Sequence, residues 1–486
     1  MTSSSIPVTV SASSFEQQLD DSSLTSAMKR LWALSAGLIA LDGFDFFVIG
    51  IALPFLTRDF NLNPMQVGAI AVAAIAGSLV GSLILGPITD KIGRQIMLKT
   101  DIALFILATL GTALAWDAIS LLVFRFLVGI AIGADYPLSI AYITENMPTR
   151  LRGRMVIGAL AFQAVGALLG AITGLLVLYG YQTLYPDSAL LASSQLASSQ
   201  LPIESAWRWM LGMGLILAIA VGFLRLGFNL ESPRYYIAKG EYALASEAAS
   251  LLLAKAIVIT PQTDSPEREP NLAYGALFFP PYRRSTLLVS IPWFLQDIAT
   301  YGLGIFTPVI IGLLVKVEDN DFLAKEIASA QGAALADLFL IVGFAIAVVL
   351  IDRVGRIKLQ MIGFIGMAVG LLILQGGQSQ ATLVFTGFFV FNLMMNAGPN
   401  STTFLLSGEV FPTAIRASGA GFAAAFAKAG GILGVFALPI LQKTWGISIL
   451  LWLLSLLCAL AALLTYRFRV ETSGQSLESV SSLPSP

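Results

Sequence analysis

Twelve apolar runs decide what this chain can become, because a helix needs about 20 mostly apolar residues to cross the hydrocarbon core of a bilayer. They cover about 31–56, 64–87, 96–115, 119–145, 155–179 and 207–228, then 285–315, 333–351, 358–374, 380–407, 417–442 and 446–467. Between the sixth and seventh lies a polar stretch, 229–284, which contains "PQTDSPEREPN" and reads as a loop. The residues are 56 % hydrophobic and 12 % charged, against roughly 45–50 % and about 25 % in soluble domains. The expected fold is therefore an all-α membrane protein of twelve transmembrane helices. Its expected organisation is a polar N-terminus (1–28), a six-helix half (29–228), the central loop (229–284), a second six-helix half (285–469) and a polar tail (470–486).

Loops facing the cytoplasm collect Lys and Arg. With both termini inside, the inner side receives Lys29, Arg30, Lys91, Arg94, Lys99, Arg150, Arg152, Arg154, Arg353, Arg356, Lys358, Arg416, Arg467 and Arg469; the outer side receives only Arg58, Arg208, Lys316, Lys325 and Lys443. Both termini are therefore expected to be cytoplasmic. No basic n-region precedes an apolar h-region near the N-terminus, so no cleaved signal peptide is expected. That and the short loops point to a bacterial inner membrane. A net charge of -1 carries no signal for nucleic acid, and the single Cys458 excludes an intramolecular disulfide. Histidine is absent, which leaves Asp and Glu to carry proton chemistry. No metal cluster, cofactor motif or nucleophile–base pair is visible, so an enzyme is not expected.

The chain also repeats itself. "TDKIGR" at 89–94 returns as "IDRVGR" at 351–356, and "TENMPTRLRG" at 144–153 returns as "GEVFPTAIRA" at 408–417. The offset is 262 residues for one pair (90 to 352) and 264 for the other (145 to 409). Two independent motifs sharing nearly one offset imply a duplicated half, with both copies oriented alike in the membrane.

These motifs resemble the major facilitator superfamily over nearly the whole chain, Met28 to Arg469. "GPITDKIGRQ" is similar to the superfamily's signature loop, and "RFLVGIAIGADYPLSIAYITENMPTRLRG" and "ESPRYYIAKG" are similar to its sugar-porter and phosphate-porter variants. The fold implied is two pseudo-symmetric six-helix halves. Asp90, Arg94, Asp352 and Arg356 then read as latches that meet helix N-termini or arginines; the plainer alternative is a turn whose charges set topology. Glu145, Arg152, Glu409 and Arg416 resemble the inner-gate ion pairs of sugar porters. A narrower likeness joins "GADYPLS", "PWFLQDIATYG", "AGPNSTTFLLSGEVFPT" and "AAAFAKAGGILG" to the proton-coupled phosphate symporters. It implies phosphate ligands at Tyr136, Gln163, Trp293, Asp297, Tyr301, Asn400 and Lys428, and proton coupling through Asp45 and Asp135.

The chemistry of that set is coherent. A partly protonated tetrahedral oxyanion wants several hydrogen-bond donors, some cationic charge and one acceptor for its own P–OH. Asp297 is the acceptor: it can bond a protonated oxyanion, or itself carry a proton beside it, and so separate phosphate from sulfate. Trp293, Asp297 and Tyr301 follow one another at four-residue intervals, which aligns them on one helix face. Interface anchoring by Trp and Tyr, and a structural Lys–Asp pair, are the plainer alternatives. Asp42, Asp45 and Asp135 are candidates for proton coupling together with Asp297, and carboxyls that interact titrate as a unit. Arg125 is a further intramembrane charge, which could tie to Glu145 or to another acid. The expected function is proton-coupled symport of inorganic phosphate by alternating access, by a monomer that uses phosphate, protons and the bilayer as partners and needs no cofactor or nucleic acid. Symport of another small solute, such as an organic acid or sugar-like metabolite, and a nutrient sensor with a transporter fold are the competing readings.

Overall fold

In the computed structural model of the chain the described residues are 8–184, 203–261, 274–314, 322–377 and 380–475; the side chains at 136, 137, 303–314 and 437–440, among others, fall outside them. The low-complexity segment expected as an outer loop, 181–206, lies mostly outside them too. The first half is built from α2 (Ser26–Asp59), α3 (Pro64–Ile92), α4 (Arg94–Ala113), α5 (Ala118–Asn146), α6 (Thr149–Leu184) and α7 (Ala206–Leu226). The second is built from α10 (Arg283–Leu314), α11 (Phe322–Val354), α12 (Arg356–Gly376), α13 (Ala381–Ala397), α14 (Pro399–Glu409) and α15 (Arg416–Phe468). Among the described residues, eleven helices are long and apolar enough to cross a membrane. The expected span 285–315 is the 32-residue α10, part of whose side chains fall outside the description.

Helix ends follow local chemistry. Asn63 accepts from the Gln66 amide while the Gln66 side chain returns to the Asn63 amide, and Pro64 occupies the first turn of α3, where its missing N–H costs nothing. Asp117 caps α5 in the same manner. The last expected pair, 417–442 and 446–467, is one helical run, α15, interrupted at Gly446 with φ 82. The expected span 380–407 is divided between α13 and α14 at Gly398, with Pro399 starting the second piece. Helix α11 begins eleven residues before the expected 333. Its Ala-containing start is a good helix former, and Leu323, Ile327 and Ala330 bury themselves against Phe55 and Leu56 of α2.

The polar segments expected as an N-terminus and a loop meet each other. Strand β1 (Val8–Ser11) pairs in parallel with β2 (Ile257–Thr260), Val8 facing Ile257 and Ser11 facing Thr260. Helix α1 (Ala12–Asp21) follows β1, while α8 (Pro233–Lys239) and α9 (Tyr242–Leu253) occupy the central segment. The segment expected as a loop therefore contains a helix packed inward: Ala245, Ala249 and Leu252 of α9 join Phe15 and Leu19 in the buried core, and Thr25 donates to the Leu252 carbonyl at 2.6 Å.

The duplication is visible in the backbone. Gly93, between α3 and α4, has φ 97 and ψ 160; Gly355, between α11 and α12, has φ 91 and ψ 157. That region of φ/ψ space is open essentially to glycine alone. At each turn a carboxylate also fills the space of a side chain, since a Cβ would lie 2.6 Å from Glu231 Oε2 at Gly93 and 2.9 Å from Glu471 Oε2 at Gly355. We expect Gly93→Ala and Gly355→Ala to destabilise the protein by about 1–3 kcal/mol each, read as a lower melting temperature of detergent-purified protein. Equal effects would reflect the equivalence of the two turns.

Candidate functional site

Among the described residues, three polar systems contain the expected site residues. The first joins α10 to α15. Glycines on α15 let the two helices touch: a Cβ at Gly430 would stand 2.3 Å from the Phe294 carbonyl oxygen, and one at Gly434 would stand 2.6 Å from that of Ile298. This approach carries Lys428 to the face of α10 that presents Trp293, Asp297 and Tyr301. Lys428 Nζ lies 3.5 Å from Asp297 Oδ2 and donates to the Tyr301 hydroxyl at 2.7 Å. The Asp297 carboxylate also accepts from Trp293. Lys428, Asp297 and Trp293 are 4 %, 3 % and 1 % exposed, so this is an interior ion pair, which requires hydrogen bonds as well as Coulomb attraction to offset its desolvation.

Asn400, at the start of α14, belongs to an amide chain beside that pair. Its Oδ1 accepts from Gln296 Nε2 at 3.2 Å, and its Nδ2 donates to Asn396 Oδ1 at 2.8 Å. The chain break at Gly398 is what brings Asn396 and Asn400 together on either side of it. Trp293 packs edge-on against Phe404, with ring centroids 4.2 Å apart. From the other half, Phe46 reaches the same place, its ring 6.5 Å from that of Tyr301 and 6.0 Å from Lys428 Nζ. Gln163 sits on α6, where its backbone takes the space left by Gly43; a Cβ there would lie 1.9 Å from the Gln163 carbonyl oxygen. The side chain of Tyr136 lies outside the described residues.

The second system is wholly within the first half. Asp45 pairs with Arg125 at 2.6 Å, both buried, so the acid that Arg125 meets is not Glu145. Asp42 and Asp135 face each other, and a third carboxyl, Asp101, faces Asp135 from α4. Asp101 was not among the expected site residues, nor were Gln296, Asn396 and Arg225. Asp101 and Arg225 carry the one signal available without coordinates, a charge inside an apolar run.

The third system closes one face of the bundle, here termed the motif face. Asp90 accepts from the Ser418 amide at 2.8 Å, the Ser418 hydroxyl at 2.6 Å and the Ala417 amide at 3.3 Å: a carboxylate of the first half at the N-terminus of a helix of the second, where the helix dipole favours it. Glu145 is held by Arg94 of its own half at 2.8 Å and by Arg416 of the other at 3.0 Å. Arg94 also approaches Asp90 at 3.3 Å and donates to the Thr413 carbonyl at 3.2 Å. The equivalent set in the second half is Asp352, Arg356 and Glu409, with Arg356 3.1 Å from Asp352 and 3.3 Å from Glu409. Arg154 completes it across the halves, 2.9 Å from Asp352. Arg152 faces Glu409 across the halves as its counterpart Arg416 faces Glu145, but where Arg416 lies 3.0 Å from its glutamate, Arg152 donates to Thr149 and to the Gln475 carbonyl. The hydroxyl of Thr472 donates to Glu409, and Glu471 accepts from the Arg356 and Ile357 amides at 3.0 and 3.2 Å. Glu231 does the same for Gln95 at 2.9 Å; burial holds its carboxyl above the ordinary glutamate range, opposed by the Gln95 and Ser232 amides.

Two six-helix halves related by internal duplication, locked at one face by carboxylates on helix N-termini and holding a buried ion pair, define a multi-pass membrane transporter of small solutes. The chain belongs to the sugar (and other) transporter family of the major facilitator superfamily, whose profile matches residues 30–483; this is a family of transporters, not enzymes. It is 29 % identical over 470 residues to YaaU of Escherichia coli, named only provisionally as a metabolite transport protein, with 96 % of this chain and 97 % of that one covered. It is also 29 % identical over 426 residues to inorganic phosphate transporter 1-2 of Oryza sativa subsp. japonica, covering 81 % and 80 %. Among solved structures, the proton:xylose symporter XylE of E. coli superposes with a TM-score of 0.73 at 21 % identity, covering 94 % of this chain and 99 % of that one, a likeness of fold.

The motif-face pairs make a direct prediction. A hydrogen bond to a charged group contributes about 1.5–3 kcal/mol, so Arg416→Ala, which removes one of the two cations on Glu145, is expected to raise the population open at this face by about tenfold or more. Maleimide labelling of a cysteine introduced at Ile140, which packs on Gly408 of the other half, checks this. Arg152→Ala, which breaks no ion pair among the described residues, is expected to change labelling less.

Proposed function

We propose that this transporter imports inorganic phosphate together with protons, and that Lys428, Asp297 and Tyr301 form the centre of its binding site, with Trp293, Asn400, Gln163 and Tyr136 as further ligands. The observation that carries the reading is the buried Lys428–Asp297 pair at 3.5 Å with Tyr301 on the same ammonium. A cation alone would suit any anion. A cation with a carboxylate beside it suits an anion that still carries a proton, because the carboxylate repels a fully ionised oxyanion and accepts a hydrogen bond from P–OH. The phosphate transporters among the relatives support the same substrate class.

In the empty site Lys428 is neutralised by Asp297. Phosphate entering between the halves takes over the ammonium, so Asp297 must either receive the P–OH or pick up a proton of its own; either way solute and proton bind together. Asp45, Asp135 and Asp42 are the remaining groups through which the proton enters the cycle. Asp90, Arg94, Glu145, Asp352, Arg356, Glu409 and Arg416, with Arg152 beside them, gate the motif face. The concentration of Lys and Arg near that face supports placing it, with both termini, on the cytoplasmic side of a bacterial inner membrane.

The test is uptake of labelled phosphate by proteoliposomes under an inward proton gradient, with xylose and a dicarboxylate as alternative solutes. Gradient-dependent phosphate uptake is expected; uptake of another solute alone would overturn the substrate. Asp297→Asn is expected to lower proton-driven phosphate uptake at least tenfold and to flatten its pH dependence, since an amide cannot exchange its proton. The same variant should let sulfate compete with phosphate for binding, because the repulsion that excludes a fully ionised oxyanion is gone.

A further inference from the structure

One buried carboxyl of the second half lies outside the three polar systems. Asp337, on α11, is 2 % exposed, and its Oδ2 has no hydrogen-bond partner. Its place follows from the stripe along which α11 meets the first half. Leu323, Ile327, Ala330 and Ala334 pack with Ala171 and Leu178 of α6, at intervals that alternate between four and three residues and so keep one helix face turned to its neighbour. The next interval of three falls on Asp337. Farther along, Ile341, Phe344 and Ile351 continue the stripe, in the core that also holds Ile157 and Leu160 of α6. Asp337 is therefore an ionisable group set in an otherwise apolar seam between the halves.

The seam is held on either side of this residue. Toward the motif face, Arg154 of α6 meets Asp352 at 2.9 Å. Toward the far end, Gln331 donates to the Tyr179 hydroxyl at 2.8 Å, and the Arg58 guanidinium lies over the Phe322 ring, 3.3 Å from its centroid. At 1.5 Å of rise per residue, Asp337 stands about 9 Å along the helix from Gln331 and about 22 Å from Asp352, so parting of the far end brings water to it first. No cation offsets its burial. Helix α13, packed on α11, has no ionisable side chain. Helix α10 carries Asp297 and Tyr301, both bound to Lys428. Helix α2 carries Asp45, paired with Arg125, and Asp42, which faces Asp135. The arginines of α6, Arg356 and Lys358 of α12 and Glu409 of α14 lie toward the motif face, and Lys325 and Glu326 of α11 itself lie beyond Gln331. Among the described residues none of these groups acts on Asp337, whose surroundings impose burial alone.

We propose that Asp337 is a separate proton-binding site, which must be loaded before the far end of the α6–α11 seam closes. The proposal deepens the proton-coupled reading of this transporter and rests on it. With the far end parted, water solvates the carboxyl in either form. With the seam closed, an ionised carboxyl would sit among apolar side chains with no cation to match it, which is expensive; the neutral acid fits. An O–H therefore forms on Asp337 with a proton taken from water before closure, and it breaks, with the proton returned to water, when the seam parts. The closed form holds one proton more than the parted form, so the ratio of parted to closed molecules rises with pH, by up to about tenfold per pH unit. A metal cation fits this place less well, because a single carboxyl brings only its own two oxygens, and among the described residues no group of three Asp, Glu, His or Cys side chains could hold a metal ion.

The experiment reads the width of the far end in full-length protein in nanodiscs, without any solute. Spin labels on Thr183→Cys and Lys325→Cys, both exposed at that end of α6 and α11, report the separation by double electron–electron resonance; the native Cys458 is buried and out of reach of the label. Spectra are taken from about pH 5 to about pH 9, the range in which buried carboxyls titrate. The wild type should move from closed to parted as pH rises. Asp337→Asn, neutral at every pH, should stay closed, matching the wild type at the acid end and showing a parted-to-closed ratio at least about tenfold lower at the alkaline end. Asp337→Glu should restore the pH dependence. A wild type that does not move overturns the proposal, as does an Asp337→Asn variant that follows the wild type at every pH. A variant displaced by the same amount at every pH overturns it as well, because that marks packing and not a proton. So does closure by sodium at the alkaline end, which would put a metal cation in the proton's place. If Asp337→Asn does not fold, Asp337→Leu, which continues the apolar stripe, is read by the same criteria. Failure of the wild type to take up phosphate in proteoliposomes would sink the substrate assignment and leave the distance result standing.

Discussion

An ionisable side chain inside a membrane protein must find an opposite charge or a proton, and the ion pairs between the two halves of this bundle meet that requirement. The consequence is mechanical. Asp90 is satisfied by amides of the other half, Glu145 by Arg416 of the other half, and Asp352 by Arg154 of the other half. None of these groups can move to a second arrangement alone. In the proposed cycle, opening this face would break these contacts together and would leave each carboxylate the partner within its own half, Arg94 or Arg356. That intrahalf pair keeps the cost of opening to a few hydrogen bonds, when the alternative would be a bare buried charge.

The duplicated halves are not used alike. Glu145 is bridged across the halves by Arg416, whereas Glu409 is met by Arg356 and by Thr472 from the segment after α15. Glu231 and Glu471 play matching parts on the turns at Gly93 and Gly355, each accepting from the first amides of the helix that follows. The first half adds β1, α1 and the central segment over its motif face, where Asp20 accepts from the Thr149 amide at 2.7 Å. Both internal glutamates are faced by an arginine of the other half, Glu145 by Arg416 in direct contact and Glu409 by Arg152, and the asymmetry lies in Thr472, which covers Glu409.

Much of this was legible in the sequence, for physical reasons that differ by element. The spans could be read because lipid imposes a length and a composition on each helix. The motif turns could be read because Gly93 and Gly355 occupy backbone space that only glycine enters. Their equivalence in the two halves followed from the shared spacing. The β1–β2 pairing could not be read, since its strands are four residues long and some 250 residues apart in sequence, and nothing local specifies such a contact. The amide partners Gln296 and Asn396 were hidden because Gln and Asn in a helix show no spacing signature of their own; only the break at Gly398 brings them to Asn400. Asp101 and Arg225 were hidden because one charge near the end of an apolar run usually reads as topology, and the fact that they share a cluster depends on how four helices pack.

The first and second polar systems join where α2 passes α10 and α15. Phe46 stands near Lys428 and Tyr301, its neighbour Asp45 is held by Arg125, and Asp42 faces Lys428 from the same helix. Lys428 is therefore a cation felt both by Asp297 of the second half and by Asp42 of the first. Any event that shifts the ammonium, such as an anion drawing it away from Asp297, alters the electrostatic balance at both carboxyls together. Because Asp42 begins the row of carboxyls that continues to Asp135 and Asp101, that change reaches the interior of the first half through charge alone. Coupling between the two sites then needs no large rearrangement of packed side chains, only that Lys428 be shared.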